Sequence, residues 1–395
     1  MQAQPIYDVI IAGAGPAGST AAYLLSKAGK KVLLIDKSTF PRTKLCAGLI
    51  TWKTVKLLER VFGDSPEELK KKCIINYESR EYEVYGGNTL VARRTIQYPF
   101  MFVDRDMYDS YLLEMALNAG AVFVGGEQVR SIDVARNYIT SGSGKKYYAD
   151  IFIGADGVNS RIRRSFPPDL FGIDDWKSNL AFAHELFISR SRVSRGCERP
   201  ALFFGVVDNG YAWIFPNKDR LKVGICALNR GNRKEILAAF RTFLVSQGIH
   251  EREAEYSSGY VLPYGNYLPV PWHNNVMLVG DAAGFADPLL GEGIYYAQRS
   301  GECAALSIIE STRGGKGNSG PLPADLLRQV TSRYMQLLQT HILPELEYAG
   351  KIGRAIWRYL GRCRYLPLKA LMNALGDMPA ETVHGFRSYR WMRRL

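Results

Sequence analysis

Paired cysteines are missing from this chain. The six it has, Cys46, Cys73, Cys197, Cys226, Cys303 and Cys363, are scattered with no CxxC spacing. A disulfide framework is therefore not expected, nor is a metal site, and with no cleavable signal segment before the first motif a reducing, cytoplasmic location is. Long apolar runs are missing too. Val9 to Leu25 comes nearest, but its three glycines and one proline form a turn, so it does not read as a membrane span. Acidic residues are in the minority, 38 against 51 Lys and Arg, for a formal charge of +13. An anionic partner is implied, whether nucleic acid, a lipid surface or a phosphorylated substrate. Disorder is excluded by a hydrophobic content of 47% and a charged content of 23%. At 395 residues the chain exceeds one ordinary domain, so two lobes are expected.

What is present is concentrated near the start. An apolar, β-branched run from Ile6 to Ala12 is followed by Gly13-Ala14-Gly15-Pro16-Ala17-Gly18, then by helical spacing to Ala28 and a second apolar run ending in Asp36. Gly13 permits a tight turn, Gly15 removes a Cβ that would collide with a pyrophosphate, and Gly18 lets the helix lie close on the sheet. Pro16 suits the first helical turn, whose free amides point at phosphate. Asp36, about twenty residues on, suits the ribose hydroxyls. The stretch is a dinucleotide site, for FAD or for NAD.

The chain then runs through a turn-rich loop, Phe40 to Leu49, carrying Arg42, Lys44 and Cys46, to a basic helix beginning near Trp52. Cys46 is either a site thiol or a small buried hydrophobe. Alternation from Cys73 to Phe102 predicts antiparallel strands. A helix opens near Asp104 and Asp106 and runs to Ala119, with Arg105 at its start, meeting a cofactor phosphate or only decorating a helix end. Ala121 to Val124 reads as a core strand and Val129 to Tyr148 as a β-meander. The run from Ala149 to Gly157 reads as a buried strand ending in Asp156 and Gly157, where open α/β sheets place ligands.

A second alternating region, Leu180 to Leu262, predicts an aromatic-rich sheet interrupted by one helix from Arg233 to Gln247; such a sheet suits an apolar pocket, although about half its aromatics simply fill core. Tyr211, Trp213 and Phe215 alternate on one strand and share a face. Asn275 to Gly284 brings back strand, acid and small-residue turn, and the glycines of Asp287 to Ile294 precede a helix to about Ser311 whose N-terminus aims free amides outward. Arg313 to Pro323 reads as a linker. The tail interleaves cations with aromatics: Lys351, Arg354, Trp357, Arg358, Tyr359, Arg362, Arg364, Tyr365, Lys369, Arg387, Tyr389, Arg390, Trp391, Arg393 and Arg394. Solvated helix faces explain such a tail, and so does an anionic lipid surface. No recognised module accompanies the charge, so nucleic acid is not expected.

The three strand ends, Gly13 to Gly18, Gly154 to Gly157 and Gly280-Asp281, together resemble the flavoprotein fold of the para-hydroxybenzoate hydroxylase type. Over nearly its whole length the chain is most similar to the geranylgeranyl reductase family. Three stretches carry that likeness: Pro41-Arg42-Thr43-Lys44-Leu45-Cys46-Ala47-Gly48, Tyr211-Ala212-Trp213-Ile214-Phe215-Pro216, which matches the family's YxWxFP signature, and Asp287-Pro288-Leu289-Leu290-Gly291-Glu292-Gly293-Ile294. One departure stands out. The family usually has glycine directly after the cysteine, and here Ala47 intervenes.

The resemblance implies FAD as cofactor. It places the ADP part on Gly13, Gly15, Pro16, Ala17 and Gly18, the ribose on Asp36, the phosphate and ribityl region on Arg105, the ribityl chain on Asp281, and Asp156 near the pyrophosphate. It adds Lys37, Arg42, Cys46, Ala47, Gly48, Val129, Gly157, Gly280, Pro288, Gly291, Gly293 and Ile294 to the cofactor's surroundings, and makes Cys46, Tyr211, Trp213 and Phe215 the catalytic set. The implied reaction saturates C=C bonds of a prenyl lipid or prenyl diphosphate, with NAD(P)H or ferredoxin as electron donor and peripheral contact with an anionic membrane at its inner face. The rivals are a flavin monooxygenase or halogenase on the same fold, whose tryptophan-halogenase type carries WxWxIP instead, and a non-enzymatic flavin-bound redox sensor. The expected architecture is α/β plus β: a Rossmann-like FAD-binding domain from residues 1–72, 103–176 and 266–312, an inserted antiparallel-sheet substrate domain from 73–102 and 177–265, and a linker with a basic helical region over 313–395.

Overall fold

The computed structural model describes residues 6–168, 170, 173–193, 197–228, 232–313, 322–362 and 366–390. The chain divides into two compact units, Met1–Arg42 with Asp106–Trp176 and Gly265–Leu346, and Thr43–Arg105 with Lys177–Tyr264 and Glu347–Leu395.

The first unit is built on a mainly parallel sheet in the order Trp272–His273, Val276–Leu278, Lys146–Gly154, Ile6–Ala12, Val32–Ile35, Val122–Val124. Val9, Ile10 and Ile11 are all almost wholly buried, as a parallel strand covered on both faces requires. Val129–Asp133 and Tyr138–Ser141 form the expected meander leading into Lys146–Gly154. Val122–Val124 is not the core strand expected from its composition. Among the described residues it pairs only with Val32–Ile35, at the sheet edge, and Val122 is 48% exposed. Helix Pro16–Lys27 lies against helix Ile294–Ser311 so closely that a Cβ on Gly301 would come within 2.2 Å of the Ala17 carbonyl oxygen.

The second unit holds an eight-stranded sheet in the order Tyr256–Pro263, Leu180–Ser189, Arg220–Leu228, Gly210–Pro216, Ala201–Phe204, Ile75–Gly86, Thr89–Val103, Leu49–Ile50. Every pairing is antiparallel except that of Ala201–Phe204 with Ile75–Gly86. The period of two separates its faces. Ala212 and Ile214 join Val223, Ile225 and helix Arg233–Ser246 on one side; Tyr211, Trp213 and Phe215 join Phe102, Leu368, Met372 and Ala380 on the other. Each such side chain taken fully from water contributes about 1.5–3 kcal/mol, which is what holds the C-terminal helices on that face.

The boundaries differ from the sequence expectation at 103–105, which fall in the second unit, at 265, which falls in the first, and most widely in two further stretches. Residues 43–72 belong to the second unit, because Leu49 and Ile50 pair with Phe102 and Met101 in its sheet. The C-terminal region is not a body of its own. Helix Ala324–His341 is part of the first unit, where Tyr334 Oη donates to the Leu278 carbonyl at 2.7 Å, and residues from Glu347 on belong to the second. Residues 314–321 of the linker expected from Arg313 to Pro323, and Cys363, Arg364, Tyr365, Trp391, Arg393 and Arg394 of the tail, lie outside the described residues.

Candidate cofactor and substrate sites

In the first unit the glycine turn is shaped by three different demands. The Gly13 N–H donates to the Ile35 carbonyl at 2.7 Å, and with φ at +105° a Cβ there would lie 2.3 Å from the Ala155 carbonyl oxygen. At Gly18 a Cβ would lie 1.9 Å from the Gly13 carbonyl oxygen. Both are packing glycines. Gly15 is different: a Cβ there would meet only Arg42 Nη2, at 3.4 Å. It caps helix Pro16–Lys27 without a side chain, with Pro16 at the first helical position, so the first-turn amides face an open place beneath a guanidinium. Arg42 is fixed there by an ion pair of 2.9 Å to the fully buried Asp109.

Asp36 braces the same turn. Its Oδ2 accepts from the Ala14 N–H at 2.7 Å and its Oδ1 from the Ser38 N–H at 2.8 Å, and each oxygen retains a lone pair for a sugar hydroxyl. Lys37 beside it is exposed, and Val129 is buried at the start of the meander.

Asp156 Oδ2 accepts from the amides of Arg161 at 2.6 Å and Ile162 at 3.3 Å, while Oδ1 is buried with no hydrogen-bond partner among the described residues. Burial pushes this carboxyl above its ordinary range, against the opposing hydrogen bonds of Ser160, Arg161 and Ile162. Gly157, with φ at +79°, turns the chain toward Arg163. Arg163 is a site residue that the sequence reading missed. It is 2% exposed, lies 3.6 Å from the Trp176 ring, and donates to the carbonyls of Ala282 at 2.8 Å and Val158 at 2.6 Å, joining the second and third strand ends. Burial lowers its pKa to about 10, so it keeps its charge. Its sequence signal was the Asp-Gly-x-x-Ser-x-x-Arg spacing from Asp156, in which Ser160 Oγ accepts from the Arg163 amide at 2.9 Å.

At the third strand end, Gly280 approaches the Cβ atoms of Ala17 and Ala297, where its own Cβ would be 3.2 and 3.3 Å away. Asp281 Oδ1 lies 3.7 Å from where a Cβ on Gly293 would be, and Gly293 caps helix Ile294–Ser311. Asp287 holds the loop between them by accepting from the Leu289 and Leu290 amides at 2.8 and 2.7 Å, with Pro288 buried and Gly291 at φ +71°. Gly13 to Gly18, Asp36, Arg42, Asp156, Gly157, Gly280, Asp281 and Gly293 thus gather at the carboxyl ends of the parallel strands. A cradle that a Cβ would fill, a fixed guanidinium and a buried unpartnered carboxylate oxygen fit a dinucleotide.

In the second unit the Cys46 loop lies on the aromatic face of the sheet. Lys44 Nζ sits 3.2 Å from the centre of the Tyr260 ring, and Gly48 rests on Lys222, whose Nζ would be 2.7 Å from a Cβ there. With φ at +75° and the Val103 carbonyl oxygen 2.1 Å from that Cβ position, residue 48 must be glycine. Ala47 has room for its methyl group, which packs against the aromatic cluster. Cys46 is half-buried, and its Sγ accepts from the Gly48 amide at 3.4 Å.

On the same face Tyr211 and Trp213 have ring centres 5.8 Å apart, and Trp357 from the C-terminal region stacks parallel to Tyr211, 6.5 Å away with 2° between planes. Trp357 therefore points inward, while Lys351, Arg354 and Arg358 on the same helix are exposed. Arg105, half-buried, begins helix Arg105–Asn118. Glu185 and Lys222, both buried, were not recognised from sequence. Their signal was a lone charge at an inward position of an apolar alternating strand.

The class is that of a flavoprotein: residues 6–181 match the family model described as FAD binding domain. The chain is 34% identical over 315 residues to an uncharacterized protein of Methanosarcina barkeri, covering 78% of this chain and 76% of that one. It is 30% identical over 334 residues to a geranylgeranyl diphosphate reductase of Rhodobacter capsulatus, covering 81% and 78%. Among solved structures it is similar to a geranylgeranyl bacteriochlorophyll reductase-like protein of Thermoplasma acidophilum, with a TM-score of 0.75 at 19% identity over 99% of this chain and 94% of that one, a likeness of fold. The chain belongs to the geranylgeranyl reductase family of FAD-dependent oxidoreductases, and its cofactor is FAD.

Proposed function

We propose that this protein saturates C=C bonds of a prenyl chain carried by a lipid or a diphosphate. The observation that carries the reading is the aromatic face of the second unit, where Tyr211, Trp213 and Phe215 line up beneath Trp357, Leu368 and Met372 with the Cys46 loop on the same side. An isolated alkene offers a protein no polar handle, so a long chain must be held by apolar contact with water excluded.

When bound, reduced FAD supplies a hydride. The chain's own residues do the rest. Gly15, the first turn of helix Pro16–Lys27 and Arg42 hold the diphosphate, Asp36 takes the ribose, and Asp281 with Gly293 faces the part beyond it. The aromatic face holds the alkene flat, and the Cys46 thiol places the proton on the second carbon. Electrons enter from NAD(P)H or ferredoxin.

Exposed Arg354, Arg358, Lys369 and Arg390 favour peripheral contact with an anionic membrane on its inner face, from which a prenyl substrate is drawn. Among the described residues no helix is long and apolar enough to cross a membrane.

Anaerobic incubation of the dithionite-reduced enzyme with a panel of prenyl lipids and diphosphates tests the reading. A mass gain of two hydrogens per reduced double bond is expected. Oxygen-coupled turnover with no such gain would assign the protein to the oxygen-using members of the fold instead.

A further inference from the structure

Tyr82 and Arg94 stand opposite one another on the paired strands Ile75–Gly86 and Thr89–Val103, on the side covered by helix Leu366–Leu375 and by Ala380. Tyr82 is 7% exposed, and its Oη has no hydrogen-bond partner among the described residues. Its ring meets the Phe100 ring edge-on at 5.8 Å, and His384, 3% exposed, stacks on the same Phe100 ring at 4.6 Å. His384 Nδ1 accepts from the Trp52 amide, so the proton of the neutral ring sits on Nε2, and that atom too is buried without a partner among the described residues. Arg94 directs Nη2 at two neutral acceptors of the covering helix, the Met372 carbonyl at 3.3 Å and Asn373 Oδ1 at 3.1 Å. Its Nε is buried with no partner, and among the described residues the guanidinium pairs with no carboxylate.

Three donors are thus gathered around one phenylalanine ring with no acceptor to meet them. A buried donor left unanswered opposes folding, and phenylalanine at 82 or leucine at 94 would serve the packing without that cost. A guanidinium flanked by O–H and N–H donors is the setting that an oxyanion requires, because phosphate oxygens only accept and are held best by charge-assisted hydrogen bonds. The surroundings are otherwise apolar. Tyr82 and Phe100 belong to the same buried cluster as Val84, Ala92 and Ile96 and as Tyr211, Trp213 and Phe215, so one continuous face runs from the three donors to the aromatic strand. A molecule with a long apolar chain and a phosphorylated end matches both parts of it.

We propose that Tyr82, Arg94 and His384 form a subsite for the phosphate end of the prenyl substrate, with the chain lying along the aromatic face. The subsite rests on the prenyl reading given above and narrows it, since a prenyl alcohol brings no anion to answer the guanidinium. Arg94 gives the subsite its charge, and the Tyr82 hydroxyl and His384 Nε2 supply donors on either side of Phe100. The covering helix takes part as well: the guanidinium that meets the phosphate through Nε holds the end of helix Leu366–Leu375 through Nη2.

Binding to the FAD-loaded protein, kept oxidised so that no turnover occurs, is measured by calorimetry in the native protein, Tyr82→Phe and Arg94→Gln. The ligands are geranylgeranyl diphosphate, a geranylgeranyl-ether glycerophosphate and geranylgeraniol. The native protein holds the diphosphate about tenfold or more tighter than the alcohol, and each variant loses about tenfold for the diphosphate while its affinity for the alcohol is unchanged. Tyr82→Phe removes a hydroxyl that no described protein atom uses, so the urea midpoint without prenyl ligand stays at or above the native one. This variant serves alone if Arg94→Gln, which also frees the end of the covering helix, does not fold. A glycerophosphate that follows the diphosphate shows a subsite for phosphate from either source; one that follows the alcohol restricts it to diphosphates. Equal native affinity for diphosphate and alcohol, unaltered diphosphate affinity in Tyr82→Phe, or a lowered urea midpoint in that variant would overturn the proposal. Phosphate-dependent binding that the variants lose, with no mass gain when the enzyme is reduced, would count against the proposed reaction and leave the subsite intact.

Discussion

Arg42 and Asp109 form an ion pair of 2.9 Å in which the carboxylate is fully buried and the guanidinium keeps 17% exposure at the open side of Gly15. Asp109 thus fixes in place a cation whose other side lies over Gly15, where the proposed reading puts the diphosphate. Two roles are combined in one contact, and they separate by substitution. Arg42→Gln leaves a buried carboxylate without its cation and is expected to cost about 2 kcal/mol, less than a fully buried pair because Arg42 is partly solvated. Adding Asp109→Asn restores most of that stability in a urea titration. FAD affinity, read by flavin fluorescence, stays weakened about tenfold or more in both variants. Equal recovery of affinity and stability in the double variant would show Arg42 to be structural only.

Gly224 fixes the path of the Trp213 indole. Alanine at this position puts a methyl group 2.2 Å from the ring, so the indole must move or the strands must part. Gly224→Ala is expected to destabilise the protein by about 1–3 kcal/mol, as overpacking of a core does. A urea midpoint within experimental error of the native one would show that the indole has another place to go.

These two positions show which parts of the molecule were legible in the sequence. The turn from Gly13 to Gly18 was legible because all of its demands fall on neighbouring residues, so that strand, turn, helix and terminal acid stand in one line of text. Arg163 with Ala282, Arg42 with Asp109, and Glu185 with Gly224 and Trp213 were not, because each depends on segments that only the folded sheet brings together. Strand composition told that Val122–Val124 was a strand but not that it lay at an edge, since apolar residues suit either place. In the tail, Trp357 and the neighbouring cations read as one basic aromatic surface. Lys351, Arg354 and Arg358 stay exposed, whereas Trp357 beside them packs against the core.

Trp357 covers the aromatic face through its parallel stack on Tyr211 and its contact with Phe204 at 5.9 Å. It is half-buried, so Trp357→Ala removes part of an apolar wall and not a keystone. For a long prenyl substrate KM should rise about tenfold with kcat little changed, the pattern of binding lost equally from ground and transition states. A shorter prenyl analogue, reaching less of the wall, should show a smaller effect. A fall in kcat alone would place Trp357 with the reacting atoms instead.

His384 makes the seating of the C-terminal turn sensitive to acid. Its Nδ1 accepts from the Trp52 amide at 3.0 Å, its ring stacks on Phe100 at 4.6 Å, and it is 3% exposed, with Nε2 buried and lacking a hydrogen-bond partner among the described residues. Burial first, and Lys53 second, lower its pKa to about 3. The folded protein therefore prefers the neutral ring, whereas the unfolded chain takes up a proton near pH 6.5. Stability from this residue is present in full above about pH 6.5 and is lost progressively as pH falls toward 3, by an amount on the order of 4 kcal/mol over the whole range. Protonation also abolishes the acceptor that Trp52 uses, so the first effect is local release. Hydrogen exchange in residues 378–390 should accelerate as pH is lowered from 7 to 5, after correction for the intrinsic rate. In His384→Gln, whose amide oxygen accepts at every pH, that acceleration should be absent. The same acid response in both proteins would place the sensitive group elsewhere.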